Sequence, residues 1–143
     1  METTCQDAVF GTMTYKYGWL KSGTVSLFGK EWPISVDAAA YSGEKITQEQ
    51  RDSYQKFVND RAGLLKTAEQ QLEKYIKDNL EELREMNPDV NADKMVDMVE
   101  PRTLLFQQDG TAVLLLECIW DEENGIAVEL LPDSRVGAQE LFL

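Results

Sequence analysis

The chain has no histidine, and it has only two cysteines, four prolines and fourteen basic residues against twenty-six acids in 143 residues. Without histidine there is no Ser-His-Asp or Cys-His nucleophile arrangement and no His-ligated zinc. Two isolated cysteines build neither a thiolate metal site nor a disulfide framework, and a reducing compartment keeps them as thiols. No apolar run approaches the roughly 20 residues that cross a bilayer. The first residues, Met1 to Asp7, lack the positive and apolar regions of a secretory signal, so the expected compartment is the cytoplasm. The glycines form neither a phosphate loop nor a dinucleotide fingerprint, and no cofactor is expected.

Bases are scarce in one half only. Residues 1–77 hold ten acids and ten bases, and residues 78–143 hold sixteen acids and four bases, so the whole formal charge of −12 belongs to the second half. Such a chain repels phosphate backbones and anionic membrane surfaces, which argues against nucleic-acid and membrane binding and favours a basic protein partner. Solubility is the plain alternative reading of the same charge.

What is present reads as one domain with an α+β fold over residues 1–143. Residues 1–11 are expected to be a mobile leader. Met13, Tyr15, Tyr17 and Trp19 alternate with polar residues as in a half-buried strand. Lys21-Ser22-Gly23 reads as a turn, Thr24 to Phe28 as a strand, Gly29-Lys30 as a second turn, and Trp32, Ile34 and Val36 as one face of a third strand within 12–37. Pro33 places that strand at an edge or delays its pairing until after the proline.

Thr47 with Gln50 spells a capping box. Apolar residues at Tyr54, Phe57, Val58, Leu65, Ala68, Leu72, Tyr75, Ile76, Leu80 and Leu83 then follow a 3.6-residue period to Asn87-Pro88. Asp52 with Lys56, and Glu73 with Lys77, add i,i+4 support. A straight helix over 47–86 would span about 60 Å, against a diameter near 40 Å for a domain of this size. A kink or break is therefore expected, at Gly63 or near Asp78 and Glu81. An unbroken helix would leave an exposed end for a partner, most simply a second copy of the chain in a homodimer.

A short helix is expected over 91–99, and an antiparallel meander over 103–131. In the meander Asp109-Gly110 is a hairpin turn, and the apolar stretch Val113 to Ile119 is a central strand covered on both sides. The expected fold is an antiparallel sheet of about six strands with the long, kinked helix packed across one face.

Among the acids, Glu117 interrupts the apolar central strand and must be paired, with Arg102 or Arg135 as its partner, or sit at a wet edge. Asp121-Glu122-Glu123-Asn124-Gly125 has oxygen ligands for a hard cation but lacks the spacing of a calcium-binding hand. Asp89, Asp93, Asp97 and Glu100 fall at helical spacing and would line one face if 91–99 is helical. Together with Asp121, Glu122 and Glu123 they form the candidate partner-binding surface.

Val25 to Lys30, the Ile46-Thr47-x-x-Gln50 helix start with Tyr54 and Phe57, and the stretch Cys118 to Val128 resemble uncharacterised families of small acidic bacterial proteins, some proposed as immunity proteins of polymorphic toxin systems. The similarity runs over roughly residues 13–137, with short motifs. Its members often carry His where this chain has Asn124, which weakens a site centred on that loop. The resemblance implies an α+β fold and an inhibitor role, and it carries over no catalytic residue. The expectation is a non-catalytic acidic binding protein, an immunity-type inhibitor of a basic toxin enzyme. A carboxylate-based enzyme, a divalent-cation-binding domain and an oligomeric module stand as alternatives.

Overall fold

Eight strands form a single sheet in strict sequence order. The computed structural model describes residues 3–41 and 44–143. The strands are β1 (Thr3–Asp7), β2 (Gly11–Tyr15), β3 (Trp19–Leu27), β4 (Lys30–Ala38), β5 (Val99–Phe106), β6 (Ala112–Cys118), β7 (Ile126–Leu131) and β8 (Arg135–Ala138). Between β4 and β5 come helices α1 (Gln48–Asn59), α2 (Arg61–Asp78), α3 (Leu80–Met86) and α4 (Met95–Met98). The α+β class stands, with a mostly antiparallel sheet of eight strands rather than about six.

One pair departs from the expected antiparallel order. β4 and β5 run parallel, with Ser35 opposite Thr103 and Ala38 opposite Phe106. The helices carry the chain back to the end where β4 began, so β5 enters in the same direction. Pro33 pairs with β3 opposite Thr24, while the β4–β5 ladder starts at Ser35. The missing amide thus falls just before the second ladder begins.

Two sequence expectations fail in the first third. The alternating run 13–19 is split by a turn in which the Lys16 amide bonds the Gly18 carbonyl at 3.0 Å. Met13 and Trp19 are buried, whereas Tyr17 is 75% exposed at the tip. Lys21-Ser22-Gly23 lies inside β3, where Gly23 is needed because a Cβ would stand 2.8 Å from Val36 Cγ2. The leader is also anchored: β1 pairs with β2, and the Asp7 carboxylate receives the amides of Val9 and Phe10, both at 3.0 Å, and Arg51 Nε at 2.8 Å. Phe10 stacks on Tyr54 of α1 with ring centroids 4.4 Å apart.

The long helical stretch is three helices, not one kinked rod. It breaks at Asp60 and Asn79, whose backbones leave helical geometry. Gly63 lies inside α2 rather than at a break, and a Cβ there would collide with the Asp60 carboxylate. The breaks remove the over-long end that a second copy would have covered. Thr47 caps α1 with the full capping box, and Gln50 also donates to the carbonyls of Ala39 (2.8 Å) and Phe106 (2.9 Å). One buried amide therefore ties the helix start to the ends of both parallel strands. Glu73 and Lys77 pair at 2.7 Å. Among the described residues no ion pair joins Asp52 to Lys56, and Asp52 instead accepts from Gln48 at 2.9 Å.

The core lies between the helices and one face of the sheet. Leu65, Ala68, Leu72 and Ile76 of α2 pack there with Leu104, Phe106, Leu114, Leu116 and Val128. Burial of this interface supplies the main stabilisation. Val113 and Ala127 are fully buried outside that cluster. They belong to the other face of the sheet, where Gly137 lies under the side chains of Leu141 and Phe142. Gln139 Nε2 bonds the Leu116 carbonyl at 3.0 Å, which fixes the C-terminal turn. The central strand expected over 113–119 is thus flanked by β5 and β7 and covered on both faces. Among the described residues no helix is long and apolar enough to cross a membrane.

Candidate functional site at the acidic end

The pairing of β5 with β6 sets the geometry of the acids. The start of β5 lies beside the end of β6, with Val99 opposite Cys118 and Glu100 opposite Glu117. This brings segment 78–100 beside segment 117–123. Together they hold twelve of the sixteen acids of the second half, with only Arg84 and Lys94 as bases. Neutral groups and backbone hold the segments together. The Ile119 amide bonds the Met98 carbonyl (3.0 Å), Asn87 Nδ2 bonds the Ile119 carbonyl (3.1 Å), and Arg84 Nε bonds the Val90 carbonyl (2.9 Å).

A cleft of about 390 Å³ opens at this end. Asp97, Glu100, Glu117 and Glu122 line it, facing one guanidinium, that of Arg102. The ladder shifts register between Pro101 and Thr103, and Arg102 sits at that irregularity. From there its Nη2 reaches Glu100 (2.6 Å) and Glu117 (3.1 Å). These partners hold its pKa above the ordinary arginine value, the hydrogen bond it donates to Glu117 first. All three side chains are substantially exposed, so the pairs add little to stability. The apolar wall is Trp32, whose ring carries Lys30 Nζ at 4.3 Å, together with Val96, 39% exposed. A second depression of about 350 Å³ shares Val96 and contains Asp93. Lys77 lies near enough to Asp93 to feel its charge, after the stronger effect of Glu73. Cations of the N-terminal half therefore reach this end at Lys30 and Lys77.

The candidate acids divide as follows. Asp97, Glu100 and Glu122 converge on the cleft, and Asp93 borders the neighbouring depression. Asp89 is exposed in the turn after α3, and Glu123 is exposed in the β6–β7 loop. Asp121 is engaged within its own loop: its carboxylate receives the Asn124 amide (3.2 Å) and Asn124 Nδ2, and its carbonyl receives the Gly125 amide (2.9 Å). Among the described residues no three His, Cys, Asp or Glu side chains gather as metal ligands. The shared helical face expected for Asp89, Asp93, Asp97 and Glu100 does not form, because α4 covers only Met95–Met98 and Glu100 belongs to β5. Strand pairing, not helical periodicity, assembles the group.

Glu117 pairs with Arg102, one of its two expected partners, and does so at a wet edge. Among the described residues the sheet buries two acids, Asp37 of β4 (6% exposed) and Glu129 of β7 (3% exposed), the latter bonded to Arg135 at 2.6 Å. Trp32, Arg102 and Glu117 join the cleft without having been candidate partner residues. The register shift at Arg102 carries no sequence signal that would have placed them there. Cys118 also lines the cleft, and burial pushes its thiol up to about 11. It is therefore protonated and a poor nucleophile at neutral pH.

The arrangement defines a class: an α+β protein with a largely carboxylate cleft at one end of an eight-stranded sheet. The chain belongs to the family described as a domain of unknown function, DUF6985, which it matches over residues 9–143. No curated protein and no solved structure matches it.

Proposed function

We propose that this protein is a non-catalytic binding protein whose acidic end receives a basic protein, in the manner of an immunity-type inhibitor covering the positive cleft of a toxin enzyme. The observation that carries the reading is the convergence of Asp97, Glu100, Glu117 and Glu122 around one cleft, with Asp93 beside it. Complementary charge of this kind speeds encounter and fixes register more than it adds raw affinity. Val96, exposed at the cleft rim, supplies an apolar contact that a purely electrostatic surface lacks, while Trp32 backs the wall from the core. The inhibitor role itself rests on the sequence resemblance.

The test has two stages. Basic proteins that co-purify with the wild-type chain are identified and purified, and each is compared on the wild type and on the triple variant Asp93→Lys, Asp97→Lys, Glu122→Lys. Association is then measured by stopped flow at rising salt. The expected result is a rate constant that falls at least about tenfold between low and high salt, and again on charge reversal. A partner bound equally well by wild type and variant, at a salt-independent rate, would overturn the reading.

A further inference from the structure

At the opposite end of the sheet lies a second cleft, of about 480 Å³, that the acidic end does not involve. One face of α1 forms its floor: Glu49, Asp52, Ser53 and Lys56 share that face by their i, i+3, i+4 and i+7 spacing. Two strand turns form its walls. The β5–β6 turn contributes Asp109, and the β7–β8 turn contributes the apolar Leu131 and Pro132.

The first wall is rigidly built. The Gln107 amide donates to the Thr111 carbonyl at 2.8 Å, the Thr111 amide to the Asp109 carboxylate at 2.9 Å, and Thr47 Oγ1 to the Gln108 carbonyl at 2.8 Å. Gly110, at φ +93°, lets the turn close on α1, since a Cβ there would stand 3.0 Å from the Glu49 carbonyl oxygen. The Thr111 amide also holds the Asp109 carboxyl below the usual range, so it stays ionised.

Two observations point to an occupant. Ser53 is 5% exposed, and its buried hydroxyl has no hydrogen-bond partner among the described residues. Buried hydroxyls are normally satisfied, so an unpartnered one in the cleft floor points to a ligand group that bonds it. The second is charge. Three carboxylates face the cleft with one ammonium, and among the described residues no ion pair joins Lys56 to any of them. An anion is disfavoured by Glu49 and Asp52 at the start of α1. A metal is disfavoured because the carboxylates do not gather as ligands.

We infer that this cleft binds a primary alkylammonium group, its alkyl stem against Leu131 and Pro132 and its ammonium donating to the carboxylates and to Ser53 Oγ. Such a group is offered either by a free aliphatic diamine or by a lysine side chain, and the two sources are separable by experiment. Backbone amide shifts of the full chain are followed by NMR during titration with diaminopentane, with Nα-acetyl-lysine methylamide, and with neutral pentanediol.

Saturable shifts confined to residues 49–56 and 109–111 are expected with an amine below about 10 mM. A response to both amines, stronger for the diamine, indicates the free amine; a response to the lysine derivative at least as strong indicates a side chain. Asp52→Asn or Asp109→Asn weakens binding roughly tenfold and Ser53→Ala roughly threefold. Lys56→Gln, which removes a like charge without touching the fold, tightens it. The inference is overturned if neither amine gives saturable local shifts, if pentanediol binds equally, or if Lys56→Gln leaves the affinity unchanged or weaker. None of these outcomes bears on the acidic end.

Discussion

Gln50 makes the sharpest test of how the fold is held. Its side chain is fully buried and makes three hydrogen bonds: Oε1 receives the Thr47 amide at 2.8 Å, and Nε2 donates to the carbonyls of Ala39 and Phe106. Gln50→Leu keeps the volume and removes all three. The Phe106 carbonyl retains the Ala39 amide at 2.9 Å, so the bonds fully orphaned are those of the Thr47 amide and the Ala39 carbonyl. At about 1 kcal/mol net per bond, with a further penalty where a buried group is left bare, and with some return from the apolar side chain, the loss comes to about 2–4 kcal/mol. That is a large part of the stability of a domain this size. Urea denaturation followed by the fluorescence of Trp19, Trp32 and Trp120, all buried, reads it directly.

Gln50→Glu sharpens the same test. Its carboxylate keeps the Thr47 contact but faces two carbonyl oxygens, so the folded state disfavours the ionised form and raises its pKa above the unfolded value. The penalty is therefore full at neutral pH and shrinks as pH falls through the folded pKa, because the protonated acid donates one bond. A cost below about 1 kcal/mol for Gln50→Leu, or a Gln50→Glu penalty that is flat with pH, would refute the account of Gln50 as the tie between α1 and the parallel strand ends.

Asp37 is 6% exposed, and burial raises its pKa, opposed only by the Ser35 hydroxyl. Its ionised form thus costs stability above the unfolded pKa, and Asp37→Asn raises the melting temperature at pH 7 with a gain that vanishes toward acid pH, checked by calorimetry across that range. Gly110→Ala forces a side chain onto φ +93° and against the Glu49 carbonyl. About 1–2 kcal/mol of destabilisation is expected, together with amide shifts in Glu49 and Gln50, measured by denaturation and NMR.

Local chemistry was legible in the sequence wherever a few neighbouring residues decide it. The Thr47–Gln50 capping box and the Asp109-Gly110 turn are of this kind. What depended on distant partners was not. Gly23 reads as a turn residue but sits in a strand because Val36 occupies the space a side chain would need. The parallel β4–β5 pair follows from where four helices return the chain, which no local pattern states. Glu117 was legible as an acid needing a partner or a wet edge, and it has both, whereas nothing local marked Glu129 as the acid that β7 buries. The candidate acids were picked partly by helical spacing, and the structure assembles those at the cleft by register between β5 and β6 instead.

The same register bears on why the acids are there. Asn87 and Asn91 form the local turns of this end, through side-chain oxygens that accept the amides of Asp89 and Asp93, and backbone contacts close the rest. Among the described residues, the carboxylates of Asp89, Asp93, Asp97, Glu122 and Glu123 accept no hydrogen bond and join no ion pair, whereas Asp7, Asp109, Asp121 and Glu129 each hold part of the chain in place. Grouping unpaired like charges costs free energy through mutual repulsion. Apart from the attraction of Lys77 to Asp93, folding draws no contact from these five, and even dispersal over the surface would have served solubility at lower cost. On the proposed reading, their concentration beside Val96 brings a benefit only when a basic partner meets it, and the separation between the acids that build the end and the acids that merely crowd it gives the charge-reversal variant its meaning: a fold left intact with its attraction removed.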